Sequence, residues 1–314
     1  MSEPFEKRAG LARSAAVASI AVAVLLVVLK TWASVQTDST AMLGSLADSA
    51  LDLIASIATL VGVWIAAQPA DENHRFGHGK AESLAAMFQV MLIVLSAAGI
   101  AFRAAERLIE GGRTQAAPEG IVVSVVAIAA TLALLAWQRY VIRRTASVAI
   151  SADHLHYQSD LLLNLAVIAA LALDQYAGFQ QADPLFGLVI AAWLIWGAWR
   201  ASSEAIDHLM DHEWPEERRT QFLEALAQHP SVRGVHDLRT RTSGMDDFAQ
   251  FHMAVDGALS VLQAHDIMDE VEAHIAKEFP GVEVLIHLDP AGHSDEAGSA
   301  AEELLPTLLE REGS

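Results

Sequence analysis

The chain has 314 residues, of which 53% are hydrophobic, and a formal net charge of -19. This combination excludes a single water-soluble domain of ordinary composition, because so many apolar and so many acidic side chains do not fit one uniform fold. The chain has no cysteine, which excludes disulfides and thiolate metal sites, so a transition metal would be bound by carboxylates and by some of the 13 histidines. We therefore expect an apolar part in a membrane and an acidic part in water.

Six apolar stretches of about 20 residues or more predict six transmembrane helices. The first stretch lacks the small-residue cleavage pattern of a signal peptide and is long enough to span a bilayer, so we expect it to be retained. The predicted spans are Leu11–Val35, Met42–Ala67, Leu84–Ile109, Ile121–Val141, Leu155–Leu173 and Leu185–Ile206.

Basic residues in short loops predict the orientation, because such loops resist translocation. They are concentrated before the first span and in the second and fourth loops. The residues are Lys7, Arg8, Arg13, Arg75, Lys80, Arg139, Arg143 and Arg144. We therefore expect these loops and both termini to be cytoplasmic.

The composition changes after Leu209, since residues 209–290 contain 16 Asp or Glu against 6 Lys or Arg. We expect a six-helix transmembrane domain over residues 1–208, a small α+β cytoplasmic domain over 209–290, and an acidic, disordered tail over 291–314. Sequence periodicity predicts the order αββαβ for the cytoplasmic domain. The predicted elements are Glu216–His229, Gly234–Thr242, Phe248–Val255, Ser260–Phe279 and Val282–His287, with a turn over Ser243–Asp247 between the first two strands.

Two pairs of polar residues lie inside apolar spans at four-residue spacing. Asp48 and Asp52 occur in the second span, and His156 and Asp160 occur at the start of the fifth. Four-residue spacing places both members of a pair on one helix face, and an ionised Asp at membrane depth is costly unless it meets a cation, a partner or water. Three carboxylates and one imidazole can surround zinc. The alternative is that the Asp residues pair with a basic residue, for which Lys30 is the nearest candidate, or simply lie at helix ends.

A second candidate site lies in the loop between the second and third spans. Asp71, His74 and His78 could converge on a metal ion, because Gly77 and Gly79 permit a tight backbone path. The alternative is that these side chains are simply solvated.

A third candidate site lies in the cytoplasmic domain, at or near the ends of the predicted strands and the second helix. Neighbouring strands can bring such positions together at one edge of a sheet. The candidate ligands are His236, His252, His265, His287 and Asp289. The alternative is a set of scattered surface histidines, which is the interpretation we give to His154, His208, His212, His229, His274 and His293.

Seven segments together resemble the cation diffusion facilitators, in particular the bacterial YiiP type. They read SLADSALD, PADENHRFGHGKAE, HLHYQSDLLLN, GVHDLRTRTSG, QFHM, QAHDIMDEVE and IHLDP, and the resemblance extends from the first span to Pro290. It implies a homodimeric, proton-coupled metal exporter in lipid of the bacterial inner membrane, with a metallochaperone-like cytoplasmic domain. We expect no enzyme activity and no nucleic-acid partner.

The resemblance also implies roles for particular residues. Asp48, Asp52, His156 and Asp160 match the family's transport site, and the other two candidate sites match its loop site and its binuclear cytoplasmic site. Lys80 and Asp211 match an ion pair of the YiiP type. The imidazole ligand favours Zn²⁺ as transported and regulatory ion, while Cd²⁺, Fe²⁺ and Co²⁺ stay open as further cargoes.

Two other functions are alternatives to transport. A membrane-anchored metal sensor or chaperone would not need the intramembrane residues Asp48 and Asp52. A zinc-dependent intramembrane hydrolase would need an open metal position and a general base such as the Glu of H-E-x-x-H, a motif that this chain lacks. Transport is therefore the expected function.

Overall fold

The computed structural model describes residues 3–37, 40–110, 121–179, 181–232 and 234–291. These residues fall into two compact units, of which the first spans Glu6–Asp207 and the second begins at His208. The prediction of a disordered tail over residues 291–314 lies outside the described residues except for Ala291, and so does His293.

The first unit is a bundle of long helices. Within the described ranges, six helices are long and apolar enough to span a membrane, which confirms the predicted fold class. They are α1 Glu3–Thr37, α2 Thr40–Ala66, α3 Lys80–Glu110, α4 Ile121–Thr145, α5 Val148–Ala177 and α6 Ala182–Leu209.

Helix α5 begins seven residues before the predicted start of the fifth span. Ser147 caps it, because its hydroxyl accepts a hydrogen bond from the Ile150 amide, and Gly178 ends it with a φ of 65°. The predicted span follows apolar composition, whereas a capped helix continues through polar residues. As a result, the whole polar segment 153–160 is helical, and its side chains are buried or half-buried in the bundle.

Helix α5 packs against α2, α3 and α4, and α2 packs along α3. Gly62 allows the close approach of α2 and α3, because a Cβ atom at this position would overlap the Cβ of Ala85. At the start of α5, the Ser147 hydroxyl donates to a carboxylate oxygen of the buried Glu82 on α3, at 2.7 Å. These contacts fix α5 relative to its neighbours.

The second unit is a three-stranded sheet with two helices. Its elements are α7 Glu216–Ala227, β1 Val235–Ser243, β2 Asp246–Val255, α8 Val261–Glu278 and β3 Val282–Pro290. The strand order is β1-β2-β3, with β1 antiparallel and β3 parallel to β2. The order αββαβ is therefore confirmed.

Apolar side chains of α7, β2 and α8 form the core of this unit. Phe222, Leu226, Phe251, Met253 and Ile275 are at most 1% exposed. The turn between β1 and β2 is shorter than predicted, because the strands extend their pairing as far as the two residues 243 and 246. Polar turn-forming residues thus belong to the strands rather than to a loop.

The substitution Gly62→Ala tests the close approach of α2 and α3. We expect it to lower the free energy of unfolding by about 1–3 kcal/mol, the usual cost of overpacking, measured as a lower thermal unfolding midpoint of the detergent-solubilised protein. Gly10→Ala is the matched control, because a Cβ at Gly10 meets nothing within 4 Å and alanine favours a helix. Equal midpoints for both variants would contradict the packing argument.

Candidate metal centres

Three of the four predicted intramembrane ligands meet between α2 and α5. The Nε2 atom of His156 lies 3.0 Å from Oδ1 of Asp52 and 3.8 Å from Oδ2 of Asp160. His156 is 7% exposed, whereas the side chain of Asp160 is 34% exposed. One ligand atom from each of the three residues lies within 4.8 Å of the other two, so a single ion could contact all three.

Helix geometry explains this arrangement. His156 and Asp160 are one turn apart on α5, so their side chains share a face, and α2 packs on α5 and brings Asp52 to that face. Asp48 lies one turn before Asp52 on α2. It lines the same cavity, but it is not among the three residues whose ligand atoms converge.

The cavity beside these residues has a volume of about 580 Å³. Besides the four predicted ligands, Lys30 of α1 lines it, and the Lys30 ammonium donates a hydrogen bond to the hydroxyl of Ser49 at 2.6 Å. The proposed competitor for the carboxylates is therefore present at the same depth. A cation entering the cavity would share it with this ammonium group.

The loop candidates also come together. The Nε2 atom of His78 lies 3.1 Å from Nδ1 of His74 and 3.3 Å from Oδ2 of Asp71. Gly77 permits the tight turn with a φ of 76°. All three side chains form one cluster of ligand atoms on the surface of the first unit.

The backbone of this loop holds Asp71 in its ionised form. The amide of His74 donates to Oδ1 of Asp71 at 2.6 Å, and the amide of Asn73 donates to the same oxygen at 2.8 Å. The His74 amide is the main cause that lowers the pKa of Asp71. The carboxylate is therefore available to a cation over a wide pH range.

Three histidines form a row across the sheet of the second unit. His236 on β1 is paired with His252 on β2, which in turn is paired with His287 on β3. Their ring centroids are 5.0 Å and 4.5 Å apart along the row. Strand register thus places three imidazoles on one face of the sheet.

Asp289 joins all three histidines of this row. Its Oδ2 lies 3.2 Å from Nε2 of His236 and 2.8 Å from Nδ1 of His252, and its Oδ1 lies 3.3 Å from Nε2 of His287. The Asp289 side chain is only 10% exposed. A carboxylate that contacts three imidazoles through both oxygens is suited to bridge two metal ions.

His265 is not brought to this cluster within one chain. It lies on α8, with its side chain 57% exposed and 3.8 Å from Asp269, and it lines a hollow with Leu288 and Pro290. Asp237, in contrast, was not predicted as a ligand, yet its Oδ2 lies 3.8 Å from Nε2 of His252. The sequence signal that could have indicated Asp237 as a ligand is its position directly after His236.

The predicted pair of Lys80 and Asp211 stays a prediction. Lys80 begins α3 in the first unit, and Asp211 follows α6 in the second unit. Within its own unit, Asp211 has a φ of 55° and lies 3.6 Å from Arg241.

Both units match known protein families. The family model of the cation efflux transmembrane domain matches residues 16–210, and the model of the cation efflux protein cytoplasmic domain matches residues 214–291. The chain belongs to the cation efflux family. The predicted resemblance to the cation diffusion facilitators is thereby confirmed, and the protein is a multi-pass membrane transporter rather than an enzyme.

Similar proteins include cation-efflux pumps named FieF. The pump of Serratia proteamaculans is 44% identical over 282 residues, which cover 90% of this chain and 94% of the pump. That of Cronobacter sakazakii is 45% identical over 280 residues, covering 89% and 93%. Among solved structures, the metal-bound C-terminal domain of the CzcD transporter from Thermotoga maritima is 26% identical, with a TM-score of 0.24, and covers 26% of this chain and 100% of that domain.

Paired substitutions test the loop cluster. We expect His74→Ala with His78→Ala to reduce the zinc bound at pH 7 by about one ion per chain, because two ligands are lost, as measured by equilibrium dialysis of the purified protein. His208→Ala with His212→Ala is the matched control, since both histidines lie outside the clusters.

Acidification should release the ion from the same loop. Between pH 8 and pH 5 protons compete for imidazole ligands, whereas the lowered pKa of Asp71 keeps this carboxylate ionised. The loss of the loop-bound ion should therefore follow the imidazoles. If the loop binds as much zinc at pH 5 as at pH 8, this result would contradict a histidine-dependent site.

Proposed function

We propose that this protein exports zinc from the cytoplasm in exchange for protons, by alternating access in a homodimer of the bacterial inner membrane with both termini cytoplasmic. The observation that supports it most directly is the convergence of Asp52, His156 and Asp160 beside a cavity inside the apolar bundle. Ligands at this depth have little structural purpose, since an ionised carboxylate in a membrane is costly. A cargo cation gives them one.

The ligand types favour zinc. Zinc takes four ligands in a tetrahedron and accepts both imidazole nitrogen and carboxylate oxygen. With Asp48, which lines the same cavity, the set contains one nitrogen ligand and three carboxylates. Harder cations such as manganese prefer oxygen alone, whereas Cd²⁺, Fe²⁺ and Co²⁺ can compete for the same set.

The geometry also supports exchange against protons. The Nε2 atom of His156 and the Oδ1 atom of Asp52 lie 3.0 Å apart, so a hydrogen atom has to lie between them, because two lone pairs at this distance repel. A bound metal needs both lone pairs and therefore displaces this hydrogen, which leaves as a proton when both ring nitrogens carry hydrogen and moves to Nδ1 when only Nε2 does. Metal and proton thus occupy the same atoms in turn, with His156 as the main proton carrier.

The cavity extends toward one side of the bundle. From the ligands it follows the later halves of α3 and α5, where Gly99, Arg103 and Asn164 line it. Both helices begin next to the basic loops that we assign to the cytoplasm, so their later halves lie toward the opposite side. The arrangement fits a state that releases its cargo away from the cytoplasm.

The cytoplasmic unit would add regulation. We propose that zinc bound by His236, His252, His287 and Asp289 bridges this unit and stabilises the dimer, in line with the match to the cytoplasmic domain of cation efflux proteins. As a further ligand, His265 would have to reach the cluster from a second chain or through a movement of α8. The Lys80–Asp211 ion pair would connect the helices to this unit.

Zinc flux in sealed vesicles tests the exchange. We expect a proton gradient directed against zinc movement to accelerate flux, and Asp52→Ala to abolish it, because a ligand shared by metal and proton is lost. Asp174→Ala, on the same helix α5 as His156 but outside the cavity lining, should retain flux. Zinc flux that does not respond to pH would contradict the exchange.

The substitution His156→Asp tests the choice of cargo. An all-oxygen set should favour manganese, so the ratio of manganese to zinc flux should rise by about tenfold, equivalent to about 1.4 kcal/mol of relative stabilisation. His208→Asp is the control, because this histidine of α6 lies outside the ligand clusters. An unchanged ratio would argue that the ligands do not select the cargo.

Replacing His236 and His287 together tests regulation. Loss of two of the row's imidazoles should move the zinc dependence of transport to higher concentration, measured as flux against free zinc. His229→Ala with His274→Ala is the matched control in the same unit. An unchanged dependence would leave the row a purely structural or storage site.

A further inference from the structure

Asp153 is a carboxylate inside the bundle that does not belong to the metal-ligand cluster. It is 0% exposed and lies one turn before His156 on α5. Its Oδ2 accepts hydrogen bonds from the hydroxyl of Ser19 at 2.6 Å and from the amide of Gln138 at 2.8 Å. Its Oδ1 faces the amide of Gln89 at 3.4 Å. These donors belong to α1, α4 and α3, and all three are uncharged.

The orientation of Gln138 is determined by its second neighbour. The Nδ1–H of His154 donates to Oε1 of Gln138 at 3.1 Å, so the Gln138 amide hydrogens point to Asp153 and to Ser19, whose hydroxyl oxygen is 3.0 Å away. Gln138 is therefore a donor of fixed orientation, and the Ser19 hydroxyl, which also lies 3.1 Å from the backbone oxygen of Ala15, is closer to Oδ2, at 2.6 Å. This side of the carboxylate thus presents donors to Oδ2. It is suited to an oxygen that carries no hydrogen.

Gln89 differs from Gln138, because its amide group can hydrogen-bond to Asp153 in either protonation state. Its amide nitrogen faces Oδ1, while its own carbonyl oxygen is buried without a hydrogen-bond partner. Rotation of the amide by half a turn would exchange the two, and the carbonyl oxygen would then accept a hydrogen bond from a protonated Oδ1. The unpartnered oxygen is the acceptor that a neutral Asp153 requires.

Asp153 is also linked to the metal site. The Tyr157 hydroxyl donates to the backbone oxygen of Ser19, the residue whose side chain contacts Asp153, at 3.0 Å. It also lies 2.9 Å from the hydroxyl of Ser56, which is one turn beyond Asp52 on α2. The ionisable groups that act on Asp153 are His156 and Tyr157 of α5 and Asp52 of α2, with His154 behind Gln138.

We propose that Asp153 is a second proton-binding site of the transport cycle, distinct from the metal ligands. A metal ion is excluded here, because hydrogens rather than lone pairs surround the carboxylate. Proton uptake forms one O–H bond at Oδ1, converts the carboxylate into a neutral acid and rotates the Gln89 amide; release to water reverses these changes. The proposal rests on the proton exchange proposed above.

Proximity supplies the coupling between this site and the cargo. Asp153 and His156 are three residues apart, about 4.5 Å along the helix axis. A divalent cation on His156 favours the ionised form of Asp153, and its departure favours the protonated form. Asp153 would therefore lose its proton when zinc binds and regain one when zinc leaves.

The test measures zinc and proton fluxes simultaneously in vesicles that contain the full chain. Asp153→Asn mimics the neutral acid, because its amide can donate to the rotated Gln89, so the fold should be retained. We expect the number of protons exchanged per zinc ion to fall by about one, since one carboxyl binds one proton, while zinc binding stays within about threefold of wild type. Glu82→Gln, the same change at another buried carboxylate of the bundle, should leave the ratio unchanged.

Other outcomes are equally clear. A wild-type ratio in Asp153→Asn, with or without slower flux, would overturn the proposal and leave Asp153 a structural residue. If wild type and Glu82→Gln move zinc without protons, the proposed exchange itself fails. If Asp153→Asn does not fold, Gln89→Leu replaces it. This change removes both the donor to Oδ1 and the acceptor that the acid requires, so the pH dependence of coupling should shift. An unchanged pH profile would overturn the proposal.

Discussion

The cost of an ionised carboxylate at membrane depth is the constraint on which the bundle depends. The structure meets this cost in two ways within about two turns of α5. Asp52 and Asp160 face the imidazole of His156 and line a cavity that a cation can enter. Asp153 instead faces three uncharged donors in a closed interior. The first arrangement is suited to metal, and the second to a proton.

In each of the three ligand clusters, a different feature of the backbone brings the ligands together. In the membrane, four-residue spacing on α5 aligns His156 with Asp160. In the loop, the positive φ of Gly77 turns the chain back. In the cytoplasmic unit, strand register aligns three imidazoles in a row. Histidine and aspartate suffice for all three, which is consistent with a chain that has no cysteine.

The number and type of the elements could be predicted because their signals are local. Apolar length predicts spans, and periodicity predicts the order αββαβ. The start of α5 could not be predicted from composition, since its cap at Ser147 is followed by polar residues that interrupt the apolar run. Contacts between helices are likewise not local: the donors to Asp153 lie on α1, α3 and α4, so its sequence neighbourhood did not show what surrounds it.

The candidate sites show the same division. Spacing within one helix or loop was enough to propose Asp52, His156, Asp160 and the loop cluster. In the sheet, the row of imidazoles depended on register, which places His236 and His287 on either side of His252. His265 shows the limit of prediction from sequence. This histidine on α8 was grouped with the row of imidazoles, although within one chain it lies apart from that row.

The most direct test of the intramembrane site is a crystal structure of the full chain with zinc, using anomalous scattering at the zinc absorption edge. We expect a peak at about 2.0–2.2 Å from Nε2 of His156 and from carboxylate oxygens of Asp52, Asp160 and Asp48, the distances typical of zinc ligands. Peaks at the loop and sheet clusters with none between α2 and α5 would contradict it.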